Sequence, residues 1–287
     1  MAIDMTFPLP EILTAPLIAR ALAEDLGDAG DLSSIATVPE NRMAKAEINT
    51  RTFGIASGIE MAKRVFYAVD PEVSIKIVKP DGAALMPGDT LLTVSGRARS
   101  LLTAERVALN ILGHMSGISS ATASFVDAVD GTDVGIACTR KTLPGLRALQ
   151  KFAVRCGGGM THRYGLHDAV MIKDNHIIAA GSISKALKGA RRYAGHTIRI
   201  EIEVDTLEQL NEVVALGADI ILLDNMTPAT LRQAVNIAKG KAVLEASGNI
   251  TLETVRLVAE TGVDVISSGW ITHSAPTLDI GMELLLA

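Results

Sequence analysis

After Asp130 the sequence falls into six short apolar runs, "DVGIAC", "DAVMI", "IRIEIEV", "DIILLD", "AVLEA" and "DVISS", separated by stretches with helical spacing. Runs this short, alternating with helices, are the pattern of parallel strands joined by right-handed crossovers. The "GAD" and "GVD" entries into two of them suit tight helix-to-strand turns, with glycine at the left-handed end of the helix. Periodicity alone leaves open whether such a sheet closes. The residues at the carboxyl end of each run favour an answer. Arg140 and Lys141 come after the first, and Lys173, Asp174, Asn175 and His176 after the second. The third ends at Glu203 and the fourth at Asp224 and Asn225; the fifth leads into Glu245, Ser247 and Gly248, the sixth into Ser267, Ser268 and Gly269. A barrel brings the carboxyl ends of all its strands to one mouth, whereas an open doubly wound sheet concentrates its site at one switch point. Polar groups at all six ends favour the barrel.

The first third of the chain reads differently. A helical stretch, "PEILTAPLIARALAEDLG", leads through a turn-rich segment to the alternating runs "AKAEINTRTFGIAS", "VSIKIVK" and "DTLLTVSGRA", bounded by "DPE", "KPDG" and "MPGD". These predict a small sheet with helices on one face. Helical spacing then runs from about Ser100 to Ala128, and a boundary is expected near Ser116. The expected organisation is an N-terminal α/β sandwich over 1–115, with the last ten or so residues packing on it, and an α/β barrel of about six strands over 116–287.

Charge is unevenly placed. The chain carries a formal net charge of −5, yet Thr139 to His167 contains six Arg or Lys and no Asp or Glu. At the strand ends the cations Arg140, Lys141, His162, Arg163 and Lys173 face an acidic group of Glu203, Asp224 and, further along, Glu245. Burying like charges without a partner costs several kcal/mol per ion, so the cationic half calls for a multiply charged anion such as a carboxylate or phosphate. Lys151 and Arg155 read equally well as solvated helix-face charges. Glu203 and Asp224 are placed either to hold a hard cation together with ligand phosphates or to pair with Lys141 and Lys173. The turns "ASGN" and "SSGW" after the last two strands could offer backbone N–H groups to a phosphate.

Other classes are disfavoured. With 3% aromatic residues the chain lacks the rings of a single-strand nucleic-acid platform. No basic-then-apolar leader and no run of about 18 apolar residues is present, so no membrane partner and a cytoplasmic location are expected. The two cysteines, Cys138 and Cys156, form no CxxC pair and suit reduced buried thiols. "HRYGLH" has two histidines but no third ligand cluster, "CGGGM" lacks the context of a dinucleotide loop, and His114, His196 and Trp270 suit packing or surface roles.

The segments "TRKTLPGLR", "GGGMTHRYGL", "IKDNHI", "EIEVDTLEQL", "DIILLDNM", "LEASGNI" and "GVDVISSGWITHSAP" together resemble the quinolinate phosphoribosyltransferase family. "GDLSS", "GIASGIEMA", "LLTAERVALNILGHMSGI" and "LDIGMELL" extend the resemblance over nearly the whole chain. It implies an N-terminal sandwich with an incomplete barrel, and transfer of phosphoribose from phosphoribosyl pyrophosphate to quinolinate, with loss of carbon dioxide, to give nicotinate mononucleotide and pyrophosphate. It also implies Mg2+ as cofactor and a homodimer in which Arg106 crosses the interface. By the same resemblance Arg106, Arg140, His162, Arg163 and Lys173 hold the two carboxylates of quinolinate, and Lys141 lies near the pyrophosphate. Glu203 and Asp224 bind magnesium and ribose, and the turns carrying Ser247, Gly248, Ser268 and Gly269 receive the 5-phosphate. The chain departs from the family pattern in having Cys138 where Asp is usual and Thr161 where Asn is usual, which touches the supporting detail rather than the reaction. A related branch associated with molybdate transport generally lacks the "IKDNH" stretch present here. Two other readings of the residues are a Schiff-base lyase using Lys173 and a non-catalytic anion-binding protein.

Overall fold

The computed structural model describes residues 9–286. In chain order, the first part comprises α1 (Glu11–Leu26), α2 (Leu32–Thr37), β1 (Met43–Thr50), β2 (Gly54–Ile55), α3 (Ile59–Val69), β3 (Ser74–Ile77), β4 (Ala84–Leu85), β5 (Thr90–Arg97) and α4 (Ala98–Ala128). Next come β6 (Gly135–Ala137), α5 (Arg147–Cys156), β7 (Val170–Ile172), α6 (Asp174–Ala180), α7 (Ile183–Tyr193), β8 (Ile200–Val204) and α8 (Leu207–Ala215). The chain continues through β9 (Ile220–Asp224), α9 (Pro228–Ala238), β10 (Val243–Ser247), α10 (Val255–Ala259), β11 (Val265–Ser267), α11 (Trp270–His273) and β12 (Ile280–Leu286). Among the described residues no helix is long and apolar enough to cross a membrane.

These elements form two compact units. One takes the described residues up to Ala123, Leu143–Gly158 and the residues from Ala275 on; the other takes Ser124–Thr142 and Gly159–Ser274. The 115/116 division expected from sequence falls inside α4, which runs on unbroken because its apolar spacing continues across Gly113 and Gly117. Gly117 is there for a close approach: a side chain on it would meet the backbone of Pro276, whose carbonyl carbon lies 3.0 Å from the Cβ position.

In the first unit an antiparallel sheet runs β12-β1-β5-β3. Alternation in β1 sends Ala44, Ala46 and Ile48 inward, and β5 buries Leu91, Leu92 and Val94. Against them lie Ile59, Ala62, Val65 and Phe66 of α3 and Leu101, Ala104, Ala108 and Leu112 of α4, all within a few per cent of complete burial. The sheet's last strand, β12, pairs with β1 from Ala44↔Leu286 to Thr50↔Ile280. α5 also belongs to this unit, and there Lys151 is fully buried rather than solvated. Cys138 and Cys156 are buried, and burial pushes the Cys156 thiol up to about 12.

One polar cluster ties the end of β5 to the start of α4. Asp70 is buried and accepts from Arg97 Nε and Nη2, both at 2.9 Å, from Ser100 Oγ at 2.7 Å and from the Glu72 amide at 3.0 Å. The Arg97 guanidinium, and after it the Ser100 hydroxyl, hold the Asp70 carboxyl well below the usual carboxylate range. A depressed folded-state pKa contributes stability that is present above the unfolded value and lost as pH falls towards the folded one. The stability advantage of the wild type over Asp70→Asn, measured by urea unfolding, is therefore expected to be full at pH 7 and to shrink below about pH 4. A constant difference between pH 7 and pH 3 would refute this.

The second unit is a six-stranded parallel sheet in the order β6-β11-β10-β9-β8-β7. The order is circular, since each strand from β7 to β11 neighbours the next in sequence and the first strand, β6, lies beside the last. The ring is interrupted between β6 and β7. Beside β6 sits Met160, bridged to Ala137 through Met160 N–H to Ile136 O (2.7 Å) and Cys138 N–H to Met160 O (3.1 Å). β9 reads as a nearly continuous apolar run because both faces are covered: Ile221 and Leu223 are fully buried, as are Ile202 and Val204 of β8, Leu210 and Val213 of α8 and Ala234 of α9. Glu201 and Glu245 are the two acids buried within these strands, 4% and 5% exposed.

Candidate active site

Every strand of the second unit ends at one cavity of 440 Å³. Its wall takes Thr139, Arg140 and Lys141 after β6, Lys173 after β7, Glu203 from β8, Asp224 from β9, Ser247 from β10 and Ser267 from β11. An open sheet with one switch point does not bring six strand ends together, so this convergence settles the question that periodicity left open in favour of the interrupted barrel. His162, Arg163 and Glu245 line the floor with Leu222 and Met171.

The cations fall on one side. Arg163 is anchored by Nη1 donating to the Ala169 carbonyl at 3.0 Å, while its Nε is buried without a hydrogen-bond partner. Burial, and after it the neighbouring charge of Arg140, lowers the Arg163 pKa. Two guanidinium groups held close in a partly dry wall form a receptor for a dianion. The Lys141 carbonyl accepts from Thr272 Oγ1 at 2.8 Å, and the Lys173 amide donates to His176 Nδ1 at 2.9 Å, so both lysines stand on braced backbone.

On the acidic side, Lys173 Nζ is paired with Glu203 Oε2, and Asp224 accepts from Asn225 Nδ2 at 2.6 Å. Asn225 has φ 51° and Gly248 φ 103°; the Asn225 amide donates to the Ser247 carbonyl at 2.9 Å. A Cβ on Gly248 would lie 2.9 Å from the Asn225 amide nitrogen, so this loop tolerates only glycine.

Beneath the cavity floor lies a buried cluster that sequence reasoning missed in part. His162 Nε2 is 2.9 Å from Glu201 Oε2 and 3.8 Å from Glu245 Oε2. His162 Nδ1 accepts the Arg163 amide at 2.8 Å, which assigns the ring proton to Nε2. The three side chains are close enough to hold a metal ion, but an Nε2 that carries the proton has no lone pair to give, so His162 acts as a donor here. The second oxygens of Glu201 and Glu245 are both buried without a hydrogen-bond partner. Burial, and after it the charge of Glu201, pushes the Glu245 carboxyl up to about 7.

Of the residues singled out from sequence, Arg140, Lys141, His162, Arg163, Lys173, Glu203, Asp224 and Ser247 line the cavity together. Gly248 and Gly269 lie beside it, Gly248 against Asn225 and Gly269 against Lys141. Ser268 points elsewhere: its amide donates to the Ala137 carbonyl at 3.0 Å and its buried hydroxyl to the Ile250 carbonyl at 3.4 Å. Arg106 is exposed on α4, in the first unit. His176 and Ser267, named at the strand ends without a role, also line the cavity, as does Thr139, which the strand-end pattern does not mark.

Two family models match the chain: the quinolinate phosphoribosyl transferase C-terminal domain over residues 118–283 and the N-terminal domain over residues 31–116. A probable nicotinate-nucleotide pyrophosphorylase [carboxylating] of Bacillus subtilis is 44% identical over 94% of this chain and 93% of its own. A nicotinate-nucleotide pyrophosphorylase [carboxylating] of Mycobacterium leprae is 46% identical over 93% and 95%. The solved structure of NadC from Streptococcus pyogenes superposes with a TM-score of 0.94 at 40% identity, covering 98% of this chain and all of that one.

Proposed function

Because the chain belongs to the quinolinate phosphoribosyl transferase family, we propose that it transfers phosphoribose from phosphoribosyl pyrophosphate to quinolinate and releases carbon dioxide and pyrophosphate, forming nicotinate mononucleotide for NAD biosynthesis. The observation that carries this reading is the cavity wall itself, with paired guanidinium groups on one side and two strand-end carboxylates on the other. Arg140, Arg163 and Lys173 take the carboxylates of quinolinate, which turns its ring nitrogen towards Asp224 and Glu203. Lys141 faces the pyrophosphate, and the Ser247–Gly248 and Gly269 turns offer backbone N–H groups to the 5-phosphate. As the bond from ribose C1 to pyrophosphate lengthens, positive charge grows at C1, and the carboxylates of Asp224 and Glu203 stabilise it.

Glu203 and Asp224 are also a fitting donor set for magnesium: two hard carboxylates at adjacent strand ends, both lining the cavity. The ion supplies charge neutralisation of the leaving pyrophosphate when bound. Arg106 completes the site from the second copy of a homodimer, which accounts for an exposed arginine outside the cavity lining. The Schiff-base reading of Lys173 is less well supported, since its ammonium is already paired with Glu203.

The test is formation of nicotinate mononucleotide and pyrophosphate from quinolinate, phosphoribosyl pyrophosphate and magnesium. Nicotinate has one carboxylate fewer and leaves part of the cationic wall unpaired. A lost charge-assisted contact costs roughly 1.5–3 kcal/mol, so nicotinate is expected to be poorer by about 10- to 100-fold or more in kcat/KM. Phthalate keeps both carboxylates but lacks the ring nitrogen, and is expected to compete without reacting. Equal turnover of nicotinate, or failure of phthalate to compete, would refute the dicarboxylate assignment.

A further inference from the structure

We propose that Glu245 is the acid that protonates the ring carbon from which carbon dioxide departs, a role that rests on the reaction assigned above. In that step the bond between the ring carbon and its carboxylate breaks, and carbon dioxide leaves without the electron pair. The pair stays on the ring carbon, next to the nitrogen made cationic by its new bond to ribose. One proton per turnover must reach that carbon as the bond to the carboxylate breaks, so that losing the acid slows the departure of carbon dioxide itself.

The cavity offers few groups that can supply the proton. Arg140 and Arg163 do not release protons, Lys173 Nζ is paired with Glu203, Lys141 is assigned to the pyrophosphate, and His176 is engaged through Nδ1 with the Lys173 amide. Glu245 lines the substrate cavity and also a second cavity of 470 Å³ on the other side of the floor. Among the described residues only His162, Arg163 and Glu245 line both, and Glu245 is the one carboxyl among them. The second cavity opens among the exposed residues Asp168, Thr197 and Arg199 at the amino ends of the strands, a route by which solvent can return a proton after each turnover.

The surroundings keep the acid loaded and stabilise it once spent. Glu245 faces Glu201 from β8, His162 from the segment after Met160, the Ser267 hydroxyl from β11 and, in register on β9, the apolar Leu222. With the His162 Nε2 proton directed at Glu201, burial and the Glu201 charge favour the neutral form of Glu245. When Glu245 gives up its proton, His162 Nε2–H, 3.8 Å away, and the Ser267 hydroxyl face the new charge. Proton donation requires the acid form, so carbon dioxide release should fall as pH rises through the Glu245 pKa, while pyrophosphate release should not.

The experiment is single turnover with quinolinate labelled in the departing carboxylate, following pyrophosphate and carbon dioxide separately. In Glu245→Gln, pyrophosphate release is expected to stay within a few-fold of wild type and carbon dioxide release to fall about 100-fold or more. A variant that keeps both rates, or loses both equally, overturns the proposal. Should the variant not fold, the wild type decides. Its carbon dioxide release should slow in D2O and at alkaline pH while pyrophosphate release does not, and equal sensitivity of the two overturns the proposal. Absence of pyrophosphate from the wild type with both substrates would instead overturn the phosphoribosyl transfer on which the proposal rests.

Discussion

Replacing Arg163 by Ala is expected to lower kcat/KM for quinolinate by about 10²- to 10⁴-fold, because two charge-assisted contacts at roughly 1.5–3 kcal/mol each are at stake. The structure holds this side chain ready. Its Nη1 is fixed on the Ala169 carbonyl, its Nε is buried without an acceptor, and Arg140 stands close enough to depress its pKa. A dianion relieves the last two at once: it supplies the missing acceptor and offsets the like charges. Phthalate affinity should fall in parallel while KM for phosphoribosyl pyrophosphate moves little, and Arg163→Lys should recover only part of the loss, since an ammonium cannot make the paired contact. Unchanged phthalate affinity in calorimetry would place Arg163 outside the dicarboxylate site.

Mixing two inactive variants, Arg106→Ala and Lys173→Ala, is expected to restore activity from near zero to about a quarter of wild type. In the two-fold dimer proposed above, each copy would lend its Arg106 to the other's cavity. Random exchange makes half of the dimers hybrid, and each hybrid has one site with both residues and one with neither. Arg106 is exposed on α4, as a residue offered to a second copy must be. No recovery, with exchange verified by native mass spectrometry, would return Arg106 to a role within its own chain.

The site residues legible in the sequence are those whose position follows from strand geometry. Arg140, Lys173, Glu203, Asp224 and Ser247 stand at or just past strand ends, and strand ends of a parallel barrel converge. Ser268 was misplaced for a reason just as local. Side chains alternate along an extended segment, so Ser267 facing the cavity sends Ser268 away from it. Glu201 was overlooked because an acid inside an apolar run reads as a solvent-facing residue of a half-buried strand. The alternation of "EIEV" nonetheless puts Glu201 on the same face as Glu203, one layer deeper. The membership of α5 was beyond reach, since its packing into the first unit depends on contacts distant in sequence. The run of helical spacing through α4 likewise carries no mark of where one unit stops.

The pairing of β12 with β1 has a consequence for how the chain comes off the ribosome. Thr50 waits for Ile280, made 230 residues later, and in that interval all six parallel strands from Gly135 to Ser267 are synthesised. The earlier sheet is therefore the later one to be finished, and until then β1 has β5 on one side and an open row of backbone amides and carbonyls on the other. Nascent chains halted before Ile280 are in consequence the ones most exposed to strand-edge aggregation and to capture by chaperones, even though their parallel sheet is already encoded in full.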